Sequence, residues 1–262
     1  MLSACNSIPT MDKVLDTSNR PPLEAGTLYL VATPIGNLED ITLRALRTLR
    51  ECDRVAAEDT RRARQLLDQF QISKPTLSCH RFNEASRSEE IVGRLQKGEK
   101  IALVSDAGSP GISDPGERIV RTVLKAGLRV ESVPGASALV AAVTASGLPT
   151  GEMHFLGFLP RKSGQRVRTL LRLREYAGTL VLYESPYRVE KLLGELSETH
   201  PGRPVVVARE LTKKFEEFLR GTPESLAAQI KGRRMRGEFV VMVGGEESES
   251  TADEVSETPE TR

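Results

Sequence analysis

Four apolar residues, Ile101–Val104, run directly into Ser105-Asp106-Ala107-Gly108-Ser109-Pro110-Gly111-Ile112-Ser113-Asp114-Pro115-Gly116, and this junction constrains the fold more than any other part of the chain. A short apolar run ending in such a loop reads as a strand buried on both faces. Beyond the loop, Ile119, Val120, Val123 and Leu124 recur at helical spacing. Strand, loop and helix in that order make one unit of an open α/β sheet, where ligands bind at the carboxyl ends of the strands. Three glycines let backbone approach a ligand closely, and two prolines stiffen the loop. Asp106 and Asp114 offer acceptors to hydroxyls or to a cationic centre. A plainer reading makes Asp114 an N-cap with Pro115 at the first helical position. Capping accounts for only two or three of the twelve residues.

The same alternation extends along the chain. Strands are predicted over 27–33, 54–57, 76–78, 101–104 and 129–132, with helices over 41–52, 61–70, 85–97, 115–126 and 136–146 between them. This βα order predicts a parallel sheet with helices on both faces. Gly147-Leu148-Pro149-Thr150-Gly151 interrupts the pattern and marks a boundary between an N-terminal α/β domain, 26–147, and a C-terminal α/β domain, 148–245. In the second half, strands are expected over 155–159, 179–184, 204–208, 216–220 and 238–243, with helices over 165–176, 187–196 and 223–230. Two successive strands at 204–220, without a helix between them, imply antiparallel pairing and hence a mixed sheet.

Residues 1–25 are polar and Pro-containing, and 246–262 are rich in Glu, Ser and Thr, so both are expected to be disordered extensions. The acidic tail masks a basic centre. Residues 246–262 hold seven acids against one arginine and residues 1–25 hold three acids against two bases, so a total of +1 leaves 26–245 at +8. That excess is compatible with a polyanionic partner. Cys5, Cys52 and Cys79 have no CxxC spacing and read as reduced thiols of a cytoplasmic protein. His80, His154 and His200 are widely separated, so no metal site is expected. No apolar run approaches the roughly 20 residues of a membrane span, so no membrane partner is expected. Leu2-Ser3-Ala4-Cys5 matches a lipoprotein processing box, but only Met1 precedes it, so no such processing is expected.

Four strand-end loops offer themselves for one site: Thr33-Pro34-Ile35-Gly36-Asn37-Leu38, residues 105–116, Pro134-Gly135-Ala136-Ser137-Ala138, and Gly157-Phe158-Leu159-Pro160. No GxGxxG follows the first strand and no GxxxxGK[ST] occurs, which disfavours a dinucleotide site and excludes a P-loop. Six segments occur in order: Ala32-Thr33-Pro34-Ile35-Gly36-Asn37-Leu38, Ala57-Glu58-Asp59-Thr60-Arg61, the 105–116 run, Pro134-Gly135-Ala136-Ser137-Ala138, Tyr183-Glu184-Ser185-Pro186 and Ala208-Arg209-Glu210-Leu211-Thr212-Lys213. Together they resemble the ribosomal RNA small subunit methyltransferase I family, within the tetrapyrrole-methylase fold class, over about residues 26–245.

The resemblance implies a two-domain homodimer that holds S-adenosylmethionine in a cleft between the halves and 2′-O-methylates a decoding-centre cytidine of 16S rRNA, with the 30S subunit as the expected partner. Carried onto this chain, it puts Pro34 and Gly36 on one side of the cofactor. Asp106, Ala107 and Gly108 take the place of the family's Gly-Asp-Pro loop, with Ser105 at its first position and the proline delayed to Pro110. Ile112 and Ser113 line the pocket, Pro134 belongs to the third loop, and Ser137 and Ala138 meet the cofactor through backbone. Leu182, Tyr183 and Ala208 wall the far side.

Methyl transfer to a ribose hydroxyl calls for orientation and for an acceptor near a weak nucleophile. Asp59, Glu58, Glu184 and Glu210 lie near predicted strand ends and are the candidates, although Glu58-Asp59-Thr60 also reads as a simple helix cap. Arg161, Lys162, Arg166 and Arg168, continuing to Arg172 and Arg174, form either a phosphate-contacting rim for rRNA or a solvated helix face. Arg61, Arg62 and Arg64 are a second, sparser candidate. Two other functions fit the same segments: a precorrin-type tetrapyrrole C-methyltransferase, and a noncatalytic RNA-binding protein on this fold.

Overall fold

The computed structural model describes residues 21–245. The predictions for 1–20 and for the acidic tail 246–262 lie outside the described residues. The chain divides into two compact units between Ala138 and Leu139, upstream of the Gly147 break expected from sequence.

In the first unit, β1 (Thr27–Val31), β2 (Arg54–Ala57), β3 (Thr76–Ser78), β4 (Ile101–Val104) and β5 (Arg129–Val133) pair only in parallel, in the order β3-β2-β4-β1-β5. Strand residues alternate between two cores, because successive side chains point to opposite faces. Tyr29, Val31, Val55, Ala57, Ala102 and Val104 pack with Leu46 and Leu49 of α1 (Leu43–Glu51) and Ala63 and Leu67 of α2 (Thr60–Gln69). Leu28, Ala56, Ile101 and Leu103 pack on the other face with Ile91 and Leu95 of α3 (Glu84–Gln96) and Ile119 and Val123 of α4 (Glu117–Lys125). The parallel sheet with helices on both faces is the predicted one.

Local chemistry sets the helix starts. Thr42 caps α1, its hydroxyl accepting from the Ala45 amide at 3.0 Å. Asp59 caps α2 by accepting from the Arg61 amide at 2.9 Å. The expected cap of α4 is corrected: the helix starts at Glu117, and Gly116, at φ +142°, takes the cap position instead of Asp114. The Gly116 amide donates to the Glu84 carboxylate at 3.0 Å, and a Cβ there would lie 3.1 Å from the Gly111 amide nitrogen. Only glycine tolerates both the angle and the space. Residues 21–25, expected to be disordered, instead dock on this unit. Leu23 packs against the first core, Tyr29 Oη accepts from the Glu24 amide at 2.7 Å, and Glu24 pairs with Arg129. Arg47 Nη1 also donates to the Pro21 carbonyl at 2.9 Å.

The boundary falls one residue into α5 (Ala138–Thr144), and the second unit continues with β6 (Met153–Phe158), α6 (Ser163–Arg172), β7 (Thr179–Glu184), α7 (Val189–Thr199), β8 (Val205–Arg209), β9 (Glu217–Gly221), α8 (Pro223–Ile230) and β10 (Phe239–Val243). The sheet order is β6-β7-β10-β8-β9. β6 and β7 are parallel, β10 is antiparallel to both its neighbours, and β8 and β9 pair antiparallel as expected. Leu180, Leu182, Val205, Val207 and Val241 face Leu170 of α6, Val189, Leu192, Leu193 and Leu196 of α7, and Leu226 and Ile230 of α8. The mixed sheet agrees with the sequence reading.

Candidate functional site

Strand order in the first unit creates a switch point. From β1 the chain moves through α1 to β2 on one side, and from β4 it moves through α4 to β5 on the other. β1 and β4 are neighbours, and because α1 and α4 pack on opposite faces of the sheet, the loops leaving these two strands part to opposite faces above the carboxyl ends. Such a divergence opens the crevice in which open α/β sheets bind ligands.

The loops over this point are stitched together. Thr33 and Gly108 exchange backbone hydrogen bonds, Thr33 N to Gly108 O at 2.9 Å and Gly108 N to Thr33 O at 3.0 Å. Thr33 Oγ1 donates to the Ser105 carbonyl at 3.2 Å, and Ser105 Oγ donates to the Gly108 carbonyl at 3.1 Å. Gly108 sits at φ +76°, and a Cβ there would stand 3.5 Å from Ile35 and 3.7 Å from the Ala136 carbonyl, so three loops converge on it. At Gly135 a Cβ would lie 3.0 Å from the Ala32 methyl, which fastens the third loop to the first. The β2 loop joins through the Asp59 amide, which donates to Asp106 Oδ1 at 3.3 Å. Sequence reasoning quoted Thr33 and Gly135 but gave them no role, because these contacts join segments far apart in the chain.

The predicted first-unit residues therefore lie on loops that meet. Gly36, Ile112, Ser113 and Pro134 are exposed, Pro34, Asp106, Ala107, Ser137 and Ala138 are half-buried, and Gly108 is buried. Ser113 holds φ +63°, an uncommon conformation for a residue with a side chain. Asp106 pairs with Arg62 at 3.3 Å, a partner not anticipated from sequence. Leu38 and Ile112, on the first and second of these loops, are exposed and add apolar surface. This combination of a carboxylate, close-approaching glycine backbone and uncovered apolar side chains suits a ligand with an apolar ring system and a cationic group.

The four candidate bases separate clearly. Asp59 is engaged as the α2 cap and as a bidentate partner of Arg61, at 3.1 and 2.7 Å. Those hydrogen bonds hold its carboxyl far below the usual range. Glu184 is buried, accepting from the Ser185 amide at 2.7 Å and from Arg188 at 2.7 and 2.8 Å. Glu210 accepts from Lys213 at 3.0 Å and from the Glu238 amide at 3.2 Å. Burial works to raise the Glu210 pKa, but these bonds outweigh it and keep the value low. Asp59, Glu184 and Glu210 are thus each engaged by a cation and a backbone amide in this structure. Glu58 remains. Burial and the nearby Asp106 charge push its carboxyl above the ordinary range, against Arg81, His80 and Arg62.

Two other expectations change. Arg166 is 1% exposed and cannot belong to a phosphate rim. Its guanidinium pairs with Glu195, with Nη2 at 2.6 Å from Oε1, and donates to the carbonyls of Pro160 and Arg161 at 3.1 and 3.2 Å. Arg161, Lys162 and Arg168 are exposed, and Arg168 Nε donates to the Gly164 carbonyl of its own helix. On β7, Leu182 faces the helices of the core and has no surface to offer a ligand, whereas Tyr183 on the other face is half-buried. Ala208 is fully buried. A cavity of about 710 Å³ lies at the opposite end of β8 and β9, between Pro201–Val206 and Arg220–Thr222. On β8 it is lined by Val205 and Val206, and Val206 is two residues from Ala208. Among the described residues no group of side chains could hold a metal ion and no helix is long and apolar enough to cross a membrane.

Residues 27–227 match the Tetrapyrrole (Corrin/Porphyrin) Methylases. A ribosomal RNA small subunit methyltransferase I of Halalkalibacterium halodurans is 46% identical over 232 residues, 88% of this chain and 80% of that protein. The protein of the same name from Mesorhizobium japonicum is 48% identical over 235 residues, 89% of this chain and 79% of its own length. This chain belongs to the ribosomal RNA small subunit methyltransferase I family of the tetrapyrrole methylases. Solved structures share the fold at lower identity. A uroporphyrin-III C-methyltransferase from Thermus thermophilus, complexed with S-adenosylhomocysteine, superposes at TM-score 0.59 with 22% identity, over 83% of this chain and 97% of that one. A diphthine synthase superposes at 0.64 with 18% identity, over 84% and 90%. The family's motif order, as met in sequence, thus corresponds to the loops that converge in the first unit and to the strand ends of the second.

Proposed function

We propose that this protein transfers a methyl group from S-adenosylmethionine to ribosomal RNA, at the ribose 2′-hydroxyl of a decoding-centre cytidine of 16S rRNA, acting on the 30S subunit in the cytoplasm as a homodimer. The observation that carries the methyl-donor site is the stitched Thr33–Gly108 junction over the β1/β4 switch point, with Asp106 beside it. The RNA substrate is supported by the names of relatives sharing nearly half of their residues with this chain. The ribose position and the nucleotide rest on the family resemblance.

Bound S-adenosylmethionine supplies an activated methyl on a sulfonium centre, so the protein's task is orientation and electrostatics. Asp106 would supply the acceptor for a cationic group of the cofactor. Pro34, Gly36, Ala107 and Gly108 would flank it, Ile112, Ser113 and Pro134 would line the pocket, and Ser137 and Ala138 would meet it through backbone. Glu58, with its raised pKa, is the acceptor best suited to take the hydroxyl proton as the oxygen attacks. The test is incubation with 30S subunits and methyl-labelled cofactor, followed by nucleoside analysis. Label in 2′-O-methylcytidine supports the reading. Label on a base, or transfer to a tetrapyrrole and not to 30S, replaces it with another methylation. Binding of RNA without cofactor binding leaves the noncatalytic alternative.

A further inference from the structure

One edge of the second sheet gathers the carboxyl ends of β6, β7 and β8, since β6 and β7 are parallel and β10 runs antiparallel to both β7 and β8. Phe158 ends β6, Tyr187 lies in the turn after β7, and Phe215 lies in the loop between β8 and β9. These three rings are 59%, 94% and 68% exposed. Single exposed apolar residues need no explanation. Three aromatic rings at one edge, with cations close to two of them in the chain, are a different matter. Arg161 and Lys162 follow Phe158 closely, are exposed, and have no carboxylate partner among the described residues. Lys214 Nζ stands 5.7 Å from the Phe215 ring centroid. The neighbouring Lys213 and Arg188, by contrast, are neutralised by Glu210 and Glu184.

We propose that this edge binds single-stranded RNA, with Tyr187 and Phe215 as stacking platforms for unpaired bases and Arg161, Lys162 and Lys214 on the phosphates. Rings and cations on one surface are what an unpaired strand requires, because it presents π-faces and phosphates together. A duplex hides its bases and leaves the rings without partners. A second copy of the chain, docked by two-fold symmetry through this edge, brings cations against cations. The proposal rests on the rRNA reading for the identity of the strand and on this edge for how the strand is held.

The test uses the full chain and a fluorescein-labelled single-stranded RNA of about 15 nucleotides, with the matching duplex as a control. Tyr187→Ala and Phe215→Ala are each expected to weaken single-strand binding about fivefold or more, with the salt slope unchanged. Tyr187→Phe keeps the ring and the affinity. Arg161→Glu with Lys162→Glu lowers the log–log salt slope by about 1.4, for two phosphate contacts on a single strand. Unchanged single-strand affinity in both alanine variants overturns the proposal. So does an equal loss on the duplex, or a change in sedimentation with RNA binding intact, which marks the edge as an interface between copies. If the parent binds the strand through these rings yet methylates no 30S subunits, the functional reading fails and this one stands. Full methylation and unaltered RNA affinity in the ring variants give the converse.

Discussion

Replacing Arg166 with Met separates a structural ion pair from an RNA-binding rim. The Arg166 side chain is 2% exposed and that of Glu195 is 8% exposed. Glu195 also accepts from Ser163 Oγ at 2.6 Å, and Arg166 satisfies the carbonyls of Pro160 and Arg161. Burial works to raise the Glu195 pKa, but the Arg166 and Ser163 hydrogen bonds outweigh it and hold the value below the ordinary range. Arg166→Met leaves that carboxylate buried without its partner, which costs about 3–5 kcal/mol. For a unit of this size the melting temperature should fall by about 12–20 °C. Adding Glu195→Leu removes the stranded charge and should recover most of the loss, because an apolar pair of similar volume is often neutral. The pH dependence has a definite sign. In the parent, the depressed Glu195 pKa contributes stability that is present above the unfolded value, roughly 4.3, and is lost as pH falls through the folded value. In Arg166→Met, burial raises the Glu195 pKa, so the deficit is greatest at neutral pH and shrinks on acidification. Thermal melts of the parent, the single variants and the double variant, at pH 7 and pH 4.5, measure both effects. A single variant that melts like the parent, while flattening the salt dependence of 30S binding, would refute the buried-pair reading and restore Arg166 to the rim.

Asp106→Ala should weaken S-adenosylmethionine binding by about 1.5–3 kcal/mol through loss of a charged acceptor, and undiminished binding by calorimetry in a folded variant removes Asp106 from the site. Glu58→Gln should lower turnover roughly 10²–10⁴-fold with cofactor affinity retained. Because the Glu58 pKa is raised, the parent's kcat/KM should fall on the acid side at a pH above the ordinary carboxylate value, and that limb should vanish in Glu58→Gln. Burial pushes the Cys52 thiol up to about 11 and the Cys79 thiol up to about 12, so neither should be alkylated at pH 7 until the protein unfolds, as peptide mass mapping can check. A truncation starting at residue 26 loses the Leu23 contact and the Glu24–Arg129 pair, and should melt below one starting at residue 21. Equal melting temperatures would show that this segment adds nothing to stability.

Periodicity and punctuation are local properties, and the architecture followed from them. Ile101–Val104 is apolar throughout because both faces of β4 are covered, and that is visible in four letters. The βα alternation, the parallel first sheet, the antiparallel β8–β9 pair and the Asp59 cap were all legible for the same reason. The motif order was enough to place the chain in its family. Side-chain roles were not legible, because they depend on partners distant in sequence. Arg166 looks like its neighbours in a basic run, and only Glu195 on α7, 29 residues away, makes it a core residue. Glu184 sits at a strand end like a catalytic acid, yet the Arg188 guanidinium occupies both its oxygens. Asp114 has the sequence context of a cap, but the Glu84 carboxylate and the space beside Gly111 pass the cap to Gly116. Glu58 differs from Asp59 by one position, and burial beside Asp106 alone gives it the raised pKa. A sequence records which groups a chain carries. Which of them are desolvated, paired or left open to a ligand is decided by tertiary structure, because burial and charge act through space.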